Sequence, residues 1–317
     1  MRLVRIVQIW QGREIFNQTP GQNGIWEDVH FTLEPVVTCD YLIILNWAVQ
    51  PFTVRCPSNH VWAILQEPPQ PPFKDLHRAD PAYYRVITQD PELTGDRYIH
   101  AHGSIGWQAG RSYDELKACA PPEKPRTLSW ITSRLAVHRG HRQRMDFLKR
   151  IEKQLDFDLW GRGFHPLPNK WDGLAPYRYS LAIENYSGPH YWSEKLADCF
   201  LAWSMPIYYG CTNLEEYFPS EAFVRVDITH PNAAQKVAEV IRSDLWQRNR
   251  EAIAYARQLI LDKYQLFPRL VQDMRAFEAT QPGSQVQTIH IPATRPKPLT
   301  LWQRLPIYGQ RLKMKLP

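Results

Sequence analysis

Short apolar runs separated by turn-forming residues dominate the first part of the chain. The runs Met1–Trp10, Asp40–Asn46, Val61–Gln66 and Tyr84–Thr88 have the length and composition of buried strands. One helix is predicted after them, at Arg111–Ala120. Runs that are mostly apolar, rather than alternating, are typical of a parallel sheet that is covered on both faces. This part of the sequence therefore predicts an α/β fold.

The pattern restarts after a proline-rich, charged stretch at Ala120–Arg126, which has no periodicity and is the best candidate for a linker. A strand is predicted at Thr127–Ser133, and His138 opens a helix that extends to about Leu155. Helical period returns over Pro231–Ile260 and continues beyond it. We divide the chain into residues 1–120, a linker at 121–126, residues 127–280 and a C-terminal tail at 281–317.

The stretch Tyr177–Ile228 shows the clearest change of period. Ser180–Ile183 predicts a buried strand, and Asn185–His190 supplies turn-forming residues. A helix is predicted from Tyr191, and Met205–Gly210 reads as the next buried strand. Strand, loop, helix and strand form a βαβ unit, in which the loop that leaves the first strand is a common ligand site.

The polar residues of this unit lie where a ligand would bind. Tyr191, Glu194 and Lys195 are spaced to share one face of the first helical turn. A lysine at the positive end of a helix suits a phosphate, and a carboxylate accepts hydrogen bonds from two vicinal hydroxyls. The pattern indicates a nucleoside diphosphate, although the Glu-Lys pair taken alone fits an exposed helix start better.

A longer series of motifs makes the prediction specific. In order, the chain has Glu184-Asn185, Tyr191-Trp-Ser-Glu-Lys195, Pro206-Ile-Tyr-Tyr-Gly210, Phe218-Pro and Phe223-Val. This series resembles the signature of the glycosyltransferase family 10 fucosyltransferases, and the chain is most similar to the bacterial type. Trp192 and Ser193 depart from it, since the family favours valine and threonine there. Serine keeps the hydroxyl, so donor binding is unaffected, but the exact donor sugar stays open.

The resemblance implies a GT-B architecture, in which an acceptor-side N-terminal and a nucleotide-sugar-binding C-terminal Rossmann-like domain face each other across a cleft. It also implies that the terminal helix crosses back to the first domain. The implied activity is inverting, metal-independent transfer of fucose from GDP-fucose to a glycan hydroxyl, without any cofactor. Two alternatives remain: another nucleotide sugar used on a bacterial polysaccharide or lipid-linked glycan, or a glycan- or membrane-binding homologue without turnover.

Two further residues are candidates for the site. Glu67 directly follows a buried strand and is held by two prolines, so it is placed to face a cleft, or else lies in a surface loop. The resemblance implies that it is the catalytic base. Arg144 shares a helical stripe with Phe147, Leu148 and Ile151, and a buried arginine needs a partner such as a pyrophosphate. The resemblance implies the same phosphate contact.

The resemblance also assigns roles to the residues of the motif series. It implies that Asn185 and Tyr191 fix the donor phosphates and sugar, that Glu194 holds the ribose, and that Lys195 stabilises the departing diphosphate. Glu184 either contacts the donor or orders the loop.

Composition narrows the choice of partners. The net charge of +6 fits an anionic ligand, an anionic membrane surface or nucleic acid, but no nucleic-acid-binding motif is present. The five cysteines are scattered and lack metal spacing, which indicates a reducing compartment. Asp156 and Asp158 form an Asp-X-Asp motif, but the alternating run around them predicts a strand rather than a metal site.

The expected partners are thus a nucleotide-sugar donor and a glycan acceptor. The first residues read as a strand rather than a signal peptide, and no run reaches the length of a membrane span. A cytoplasmic location is therefore expected. The basic segment at 301–317 is predicted to contact either the inner membrane surface or another subunit.

Overall fold

The computed structural model describes residues 1–10, 12, 14–136, 138–281 and 283–295. The strands within these residues are β1 (Arg2–Val7), β2 (Ile25–Trp26), β3 (Val29–Thr32), β4 (Tyr41–Leu45), β5 (Phe52–Pro57), β6 (Val61–Ile64), β7 (Arg85–Thr88), β8 (Tyr98–His100), β9 (Arg126–Ile131), β10 (Asp158–Trp160), β11 (Tyr177–Gly188), β12 (Met205–Cys211), β13 (Val224–Arg225) and β14 (Val286–Ile291). The helices are α1 (Tyr113–Ala118), α2 (Arg139–Ile151), α3 (Glu194–Leu201), α4 (Ala233–Arg242), α5 (Leu245–Arg248), α6 (Arg250–Leu259) and α7 (Leu266–Glu278). A π-helical turn at Ile260–Tyr264 connects α6 to α7.

The first sheet has the strand order β2-β3-β1-β4-β6-β7-β8, and only β2 is antiparallel to its neighbour. All five residues of β4 are buried, as expected for a central strand covered on both faces. The chain adds β3 on one side of β1 and β4 on the other. The carboxyl ends of β1 and β4 therefore form a switch point, where α/β sheets bind ligands.

Both faces of the first sheet are covered by parts of the chain that follow the second sheet. On one face, α7 inserts Phe267 and Phe277 among side chains such as Phe31 and Trp62. On the other face, β14 pairs antiparallel with β5, and this ribbon contributes Ile289 to a separate core.

The second sheet has the order β10-β9-β11-β12-β13, and every pair in it is parallel. From β9 the chain passes through α2 to β10 on one side, then returns to place β11 on the other side. The second switch point thus lies between the carboxyl ends of β9 and β11. The largest core of the described residues surrounds this sheet and includes Trp130, Phe147, Phe200 and Ile207.

The first turn of α2 approaches β11 so closely that only glycine fits at position 140. A Cβ at Gly140 would lie 1.8 Å from the backbone oxygen of Asn185, far inside van der Waals contact. This packing fixes α2 against the end of β11 and buries the stripe of α2 that contains Arg144, Phe147, Leu148 and Ile151. The stripe expected from the sequence is confirmed.

The two sheets confirm the predicted α/β class, and the predicted buried strands are present, with corrections at their ends. β11 continues to Gly188, although the sequence predicted a turn from Asn185, because β11 keeps a shifted pairing with β12 as far as Cys211. The helix predicted from Tyr191 begins only at Glu194. The helix expected to reach Leu155 ends at Ile151.

The predicted contact of residues 301–317 with a membrane or another subunit lies outside the described residues. None of the helices in the described ranges combines the length and apolar character needed to cross a bilayer.

Candidate active site

A cavity of about 890 Å³ lies at the switch point of the second sheet, and we call it the sheet-edge cavity. Its walls include Thr132 and Ser133 after β9, the glycines at 161 and 163 after β10, and the first residues of α3. Gly161 has a φ of +113°, and a Cβ there would lie 2.0 Å from the backbone oxygen of Thr132. The two strand ends therefore approach each other closely at this wall.

A second cavity of about 470 Å³, the cleft cavity, is lined by both sheets. The first sheet contributes Asn46, Gln66 and Glu67, which follow β4 and β6. The segment around the second sheet contributes five residues of the motif series, namely Asn185, Tyr191, Ser193, Glu194 and Lys195. Glu194 and Lys195 line the sheet-edge cavity too, so the two cavities meet at the start of α3.

The start of α3 is built on Glu184, whose side chain is fully buried in β11. Its carboxylate accepts hydrogen bonds from the backbone N–H and the hydroxyl of Ser193, with distances between 2.7 and 2.8 Å. Ser193 in turn caps the helix by accepting from the backbone N–H of Lys195 at 3.3 Å. Of the two roles considered for Glu184, these contacts support ordering of the helix start, and Glu184 lines neither cavity.

Glu194 and Lys195 form an ion pair at the junction of the cavities. The Nζ atom of Lys195 lies 3.2 Å from Oε1 of Glu194 and 3.3 Å from Oε2 of Glu184. Burial alone would raise the pKa of Glu194, but the ammonium groups of Lys195 and Lys170 outweigh burial and lower it to about 2. Burial alone would lower the pKa of Lys195, whereas the carboxylates of Glu184 and Glu194 raise it. Both side chains are therefore charged near neutral pH.

Tyr191 does not share a helical face with Glu194 and Lys195, because it precedes the helix. It is buried, and its hydroxyl donates to Oδ1 of Asn185 over 3.2 Å. Tyr191 and Asn185 therefore act as one hydrogen-bonded unit on the wall of the cleft cavity.

Arg144 reaches the sheet-edge cavity from α2 and is only 4% exposed. Its Nε has no hydrogen-bond partner among the described residues. Burial lowers the pKa of the guanidinium, and the carboxylates of Glu184 and Glu194 act in the opposite direction. A buried cation with a donor to spare suits an anionic ligand that accepts several hydrogen bonds.

Glu67 is held in the cleft by its backbone. Oδ1 of Asn46 accepts from the backbone N–H of Glu67 at 3.1 Å and from that of Gln66 at 2.8 Å. On the other side of the residue, Nε2 of His77 donates to the backbone oxygen of Glu67 over 2.9 Å. Asn46 has a φ of +66°, a conformation that asparagine adopts more readily than most residues. Burial, followed by the charge of Glu194, raises the pKa of the Glu67 carboxyl.

Part of the chain that forms this site matches a known protein family. Residues 121–254 match the family model described as "Glycosyltransferase family 10 (fucosyltransferase) C-term". The matched segment is therefore similar to the C-terminal part of glycosyltransferase family 10. The match contains β9 to β13 and every site residue named above except Asn46, Gln66, Glu67 and His77.

Two fucosyltransferases illustrate the similarity of this chain to known sequences. The 3-galactosyl-N-acetylglucosaminide 4-alpha-L-fucosyltransferase of Homo sapiens is 25% identical over 214 residues, which cover 63% of this chain and 57% of the relative. The 4-galactosyl-N-acetylglucosaminide 3-alpha-L-fucosyltransferase of Pongo pygmaeus is 31% identical over 126 residues, 38% of this chain and 33% of the relative. This chain spans little more than half the length of the relatives that are 25% identical to it over 214 residues.

Solved structures extend the similarity to the whole fold. A crystal structure of an alpha1,3-fucosyltransferase superposes with a TM-score of 0.50 at 15% identity and covers 90% of both chains. A glycosyltransferase from Rickettsia africae ESF-5 gives a TM-score of 0.50 at 11% identity, over 87% of this chain and 97% of the other. The predicted family 10 resemblance and the GT-B arrangement of two sheets are confirmed.

One departure from the family 10 pattern has a structural explanation. Trp192 is 1% exposed and stacks on His102, with ring centroids 3.4 Å apart and planes within 3°. Nε2 of His102 also donates to the backbone oxygen of Trp192 over 3.0 Å. Because His102 follows β8 of the first sheet, the tryptophan fills a contact between the two halves that a valine would leave partly empty.

Two charged residues of the sheet-edge cavity were missed by sequence reasoning. Lys170 and Asp198 line the sheet-edge cavity and form an ion pair of 3.1 Å. Asp198 lies four residues after Glu194 and so shares its helical face, a signal that the sequence offered. Lys170 belongs to a short 3₁₀ turn at Lys170–Gly173 and carries no such signal.

The Asp-X-Asp motif lies away from the site, at the strand that the sequence predicted. Asp158, half of the Asp-X-Asp motif, begins β10, and its Oδ2 is bound by Arg126 at 2.9 Å and by the hydroxyl of Tyr177 at 2.8 Å. These partners sit at the amino end of the sheet, away from both cavities. In the described ranges, no three His, Cys, Asp or Glu side chains are grouped so as to hold a metal ion.

Proposed function

We propose that the protein is a fucosyltransferase that transfers fucose from GDP-fucose to a hydroxyl of a glycan, with inversion and without a metal ion. The observation that carries the proposal is the cleft cavity, where Glu67 of the first sheet faces Glu194 and Lys195 of the family 10 motif. The names of the family model and of the relatives support fucose as the transferred sugar.

The donor would bind with its nucleotide in the sheet-edge cavity. Arg144 and Lys195 supply the positive charge for the diphosphate, next to the amino end of α3. The Glu194 carboxylate would accept hydrogen bonds from the ribose hydroxyls. The hydrogen-bonded pair of Tyr191 and Asn185 would contact the sugar, because both residues line the cleft cavity into which it would project.

The acceptor hydroxyl would attack the anomeric carbon from the face opposite the diphosphate. A new carbon–oxygen bond forms as the bond to the phosphate oxygen breaks, and one such displacement inverts the anomeric centre. Glu67 takes the proton of the attacking hydroxyl, a role that its raised pKa favours. Arg144 and Lys195 stabilise the charge on the departing diphosphate, and the reacting carbon gains oxocarbenium character.

Replacement of the proposed base tests this mechanism. We expect Glu67→Gln to lower the turnover number by about 10²- to 10⁴-fold, the contribution of a general base, while the affinity for GDP stays unchanged. Glu92→Gln is the matched control, because Glu92 is 71% exposed and pairs with Lys74 away from the cavities. Full activity of Glu67→Gln would assign the proton transfer to another group.

A panel of nucleotide sugars tests the donor. Thermal-shift measurements with GDP-fucose, GDP-mannose and UDP-sugars should show stabilisation by the guanosine compounds and most with fucose. Labelled GDP-fucose and an array of glycans would then identify the acceptor. Stabilisation by a UDP-sugar alone would show that GDP-fucose is not the donor, and binding without transfer to any glycan would indicate a homologue without turnover.

Activity that is lost with EDTA and restored by a divalent ion would contradict the metal-free mechanism.

A further inference from the structure

The carboxylates at the start of α3 outnumber the ammonium group that the family 10 motif provides. Lys195 is shared between Glu184 and Glu194, and its Nζ also donates to the hydroxyl of Ser193 over 3.1 Å. Glu184 is fully buried, so an unbalanced charge there would be costly. The charge of Arg144 also acts on both carboxylates, and a further cation in direct contact with Glu194 would fix the position of its carboxylate.

Lys170 supplies this cation from a separate element. Its Nζ lies 3.6 Å from Oε1 of Glu194 and 3.1 Å from Oδ2 of Asp198. Asp198 is 1% exposed, and its Oδ1 accepts from the backbone N–H of Gln108 over 2.8 Å. The lysine is thus anchored by a carboxylate that is itself fixed, and its ammonium is held next to Glu194.

The two lysines leave one side of the Glu194 carboxylate accessible. Both of these closest contacts fall on Oε1, and no hydrogen bond from a side chain of the described residues reaches Oε2. The side chain is 17% exposed and lines both cavities. A charged carboxylate with one oxygen anchored and the other directed to a ligand is well suited to accept hydrogen bonds from a pair of vicinal hydroxyls.

We infer that Lys170, anchored by Asp198, is a positioning residue that holds Glu194 as an oriented carboxylate and thereby makes the site select a ribose. The inference rests on the proposed function, because it deepens the donor contact assigned to Glu194. Without Lys170, Glu194 would share a single ammonium with Glu184, and its contact with the hydroxyls would weaken.

Calorimetric binding of two nucleotides tests the inference. GDP has both ribose hydroxyls, whereas 2′,3′-dideoxyguanosine diphosphate has neither and carries the same phosphates. The wild-type chain should prefer GDP by about 10- to 100-fold, the range for hydrogen bonds to a charged group. In Lys170→Met this preference should fall to about 3-fold or less, and Lys170→Arg should keep most of it.

A matched control removes the same kind of ion pair elsewhere. Lys117→Met deletes the 2.9 Å contact with Asp262, a pair that lines neither cavity, and should leave both affinities unchanged. If Lys170→Met is poorly folded, the double variant Lys170→Met/Asp198→Asn takes its place. It removes the uncompensated charge of Asp198 but keeps an oxygen for the N–H of Gln108.

The outcomes separate this inference from the proposed function. A wild-type preference that persists in Lys170→Met would overturn the positioning role and leave the proposed donor intact. An equal loss of affinity for both nucleotides would also overturn it, since Lys170 would then act on the phosphates alone. A wild-type chain that binds neither nucleotide would contradict the proposed function itself.

Discussion

Glu67 is fixed in the cleft by backbone contacts, which leave its carboxyl unpaired by any neighbouring side chain among the described residues. Asn46 and His77 hold the residue from both sides, and the side chain is directed to the cavity that it shares with Glu194. Burial and the charge of Glu194 raise its pKa. This placement favours the protonated carboxyl, so the ionised carboxylate is a stronger base. The stronger base is useful for catalysis, but the ionised carboxylate lowers the stability of the fold.

Because the ionised Glu67 carboxylate lowers stability, the effect of Glu67→Gln on stability should depend on pH. The raised pKa means that the folded state binds the proton more tightly than the unfolded chain, so ionisation destabilises the fold as pH rises. We expect the variant to melt a few degrees above the wild type at pH 8, and the difference to shrink towards pH 5. The measurement is the melting temperature across this range, and a difference that grows towards acid would contradict the account.

Substitutions of Ser193 test whether its hydroxyl caps α3. Ser193→Ala removes the donor to Glu184 and the acceptor for the Lys195 N–H, and should lower the free energy of unfolding by about 1–2 kcal/mol. Ser193→Thr keeps the hydroxyl and should be within about 0.5 kcal/mol of the wild type. Chemical denaturation measures both, and equal stability of all three proteins would rule out this role of the cap.

At the level of elements, α2 depends on its approach to β11. Gly140→Ala would place a Cβ against the backbone of Asn185, so we expect a loss of about 1–3 kcal/mol in the free energy of unfolding and weaker binding of GDP. Binding is affected because Arg144 lies on the same helix. Gly283→Ala is the matched control, since a Cβ there meets nothing within 4 Å. Equal stability of the two alanine variants would contradict the proposed packing.

The same elements show what the sequence could predict. The buried strands and the stripe of α2 follow from local periodicity, so the sequence located β4, β6, β9 and Arg144 correctly. Spacing places the start of α3 at Tyr191, because spacing alone cannot show that Ser193, which is bound to Glu184, is the cap. Lys170 was missed because its contacts with Asp198 and Glu194 join residues 24 or more positions apart, which no local pattern reports.

At the scale of the whole molecule, the chain crosses between its two halves more than once. After the second sheet, α7 and β14 return to cover both faces of the first. We propose that the first folding unit therefore includes these C-terminal elements in addition to residues 1–120. The stack of His102 on Trp192 adds a further contact between the halves, next to the helix start that forms the site.

Trp192→Val tests this contact. The buried indole N–H has no hydrogen-bond partner among the described residues, so the substitution mainly creates a cavity. We expect a loss of about 2–4 kcal/mol in the free energy of unfolding and a melting temperature lower by several degrees. Tyr255→Val, at a side chain 53% exposed, serves as the control and should change stability by less than about 0.5 kcal/mol. A Trp192→Val protein as stable as this control would show that the contact between His102 and Trp192 does not stabilise the fold.

The most direct test of the account is a crystal structure of the complex with GDP-fucose, determined for the Glu67→Gln variant so that the donor stays intact. We predict the diphosphate between Arg144 and Lys195, the ribose hydroxyls on Glu194, and the anomeric carbon turned to residue 67 across the cleft. A nucleotide bound outside the sheet-edge cavity, or a diphosphate held by a metal ion instead of these two cations, would contradict it.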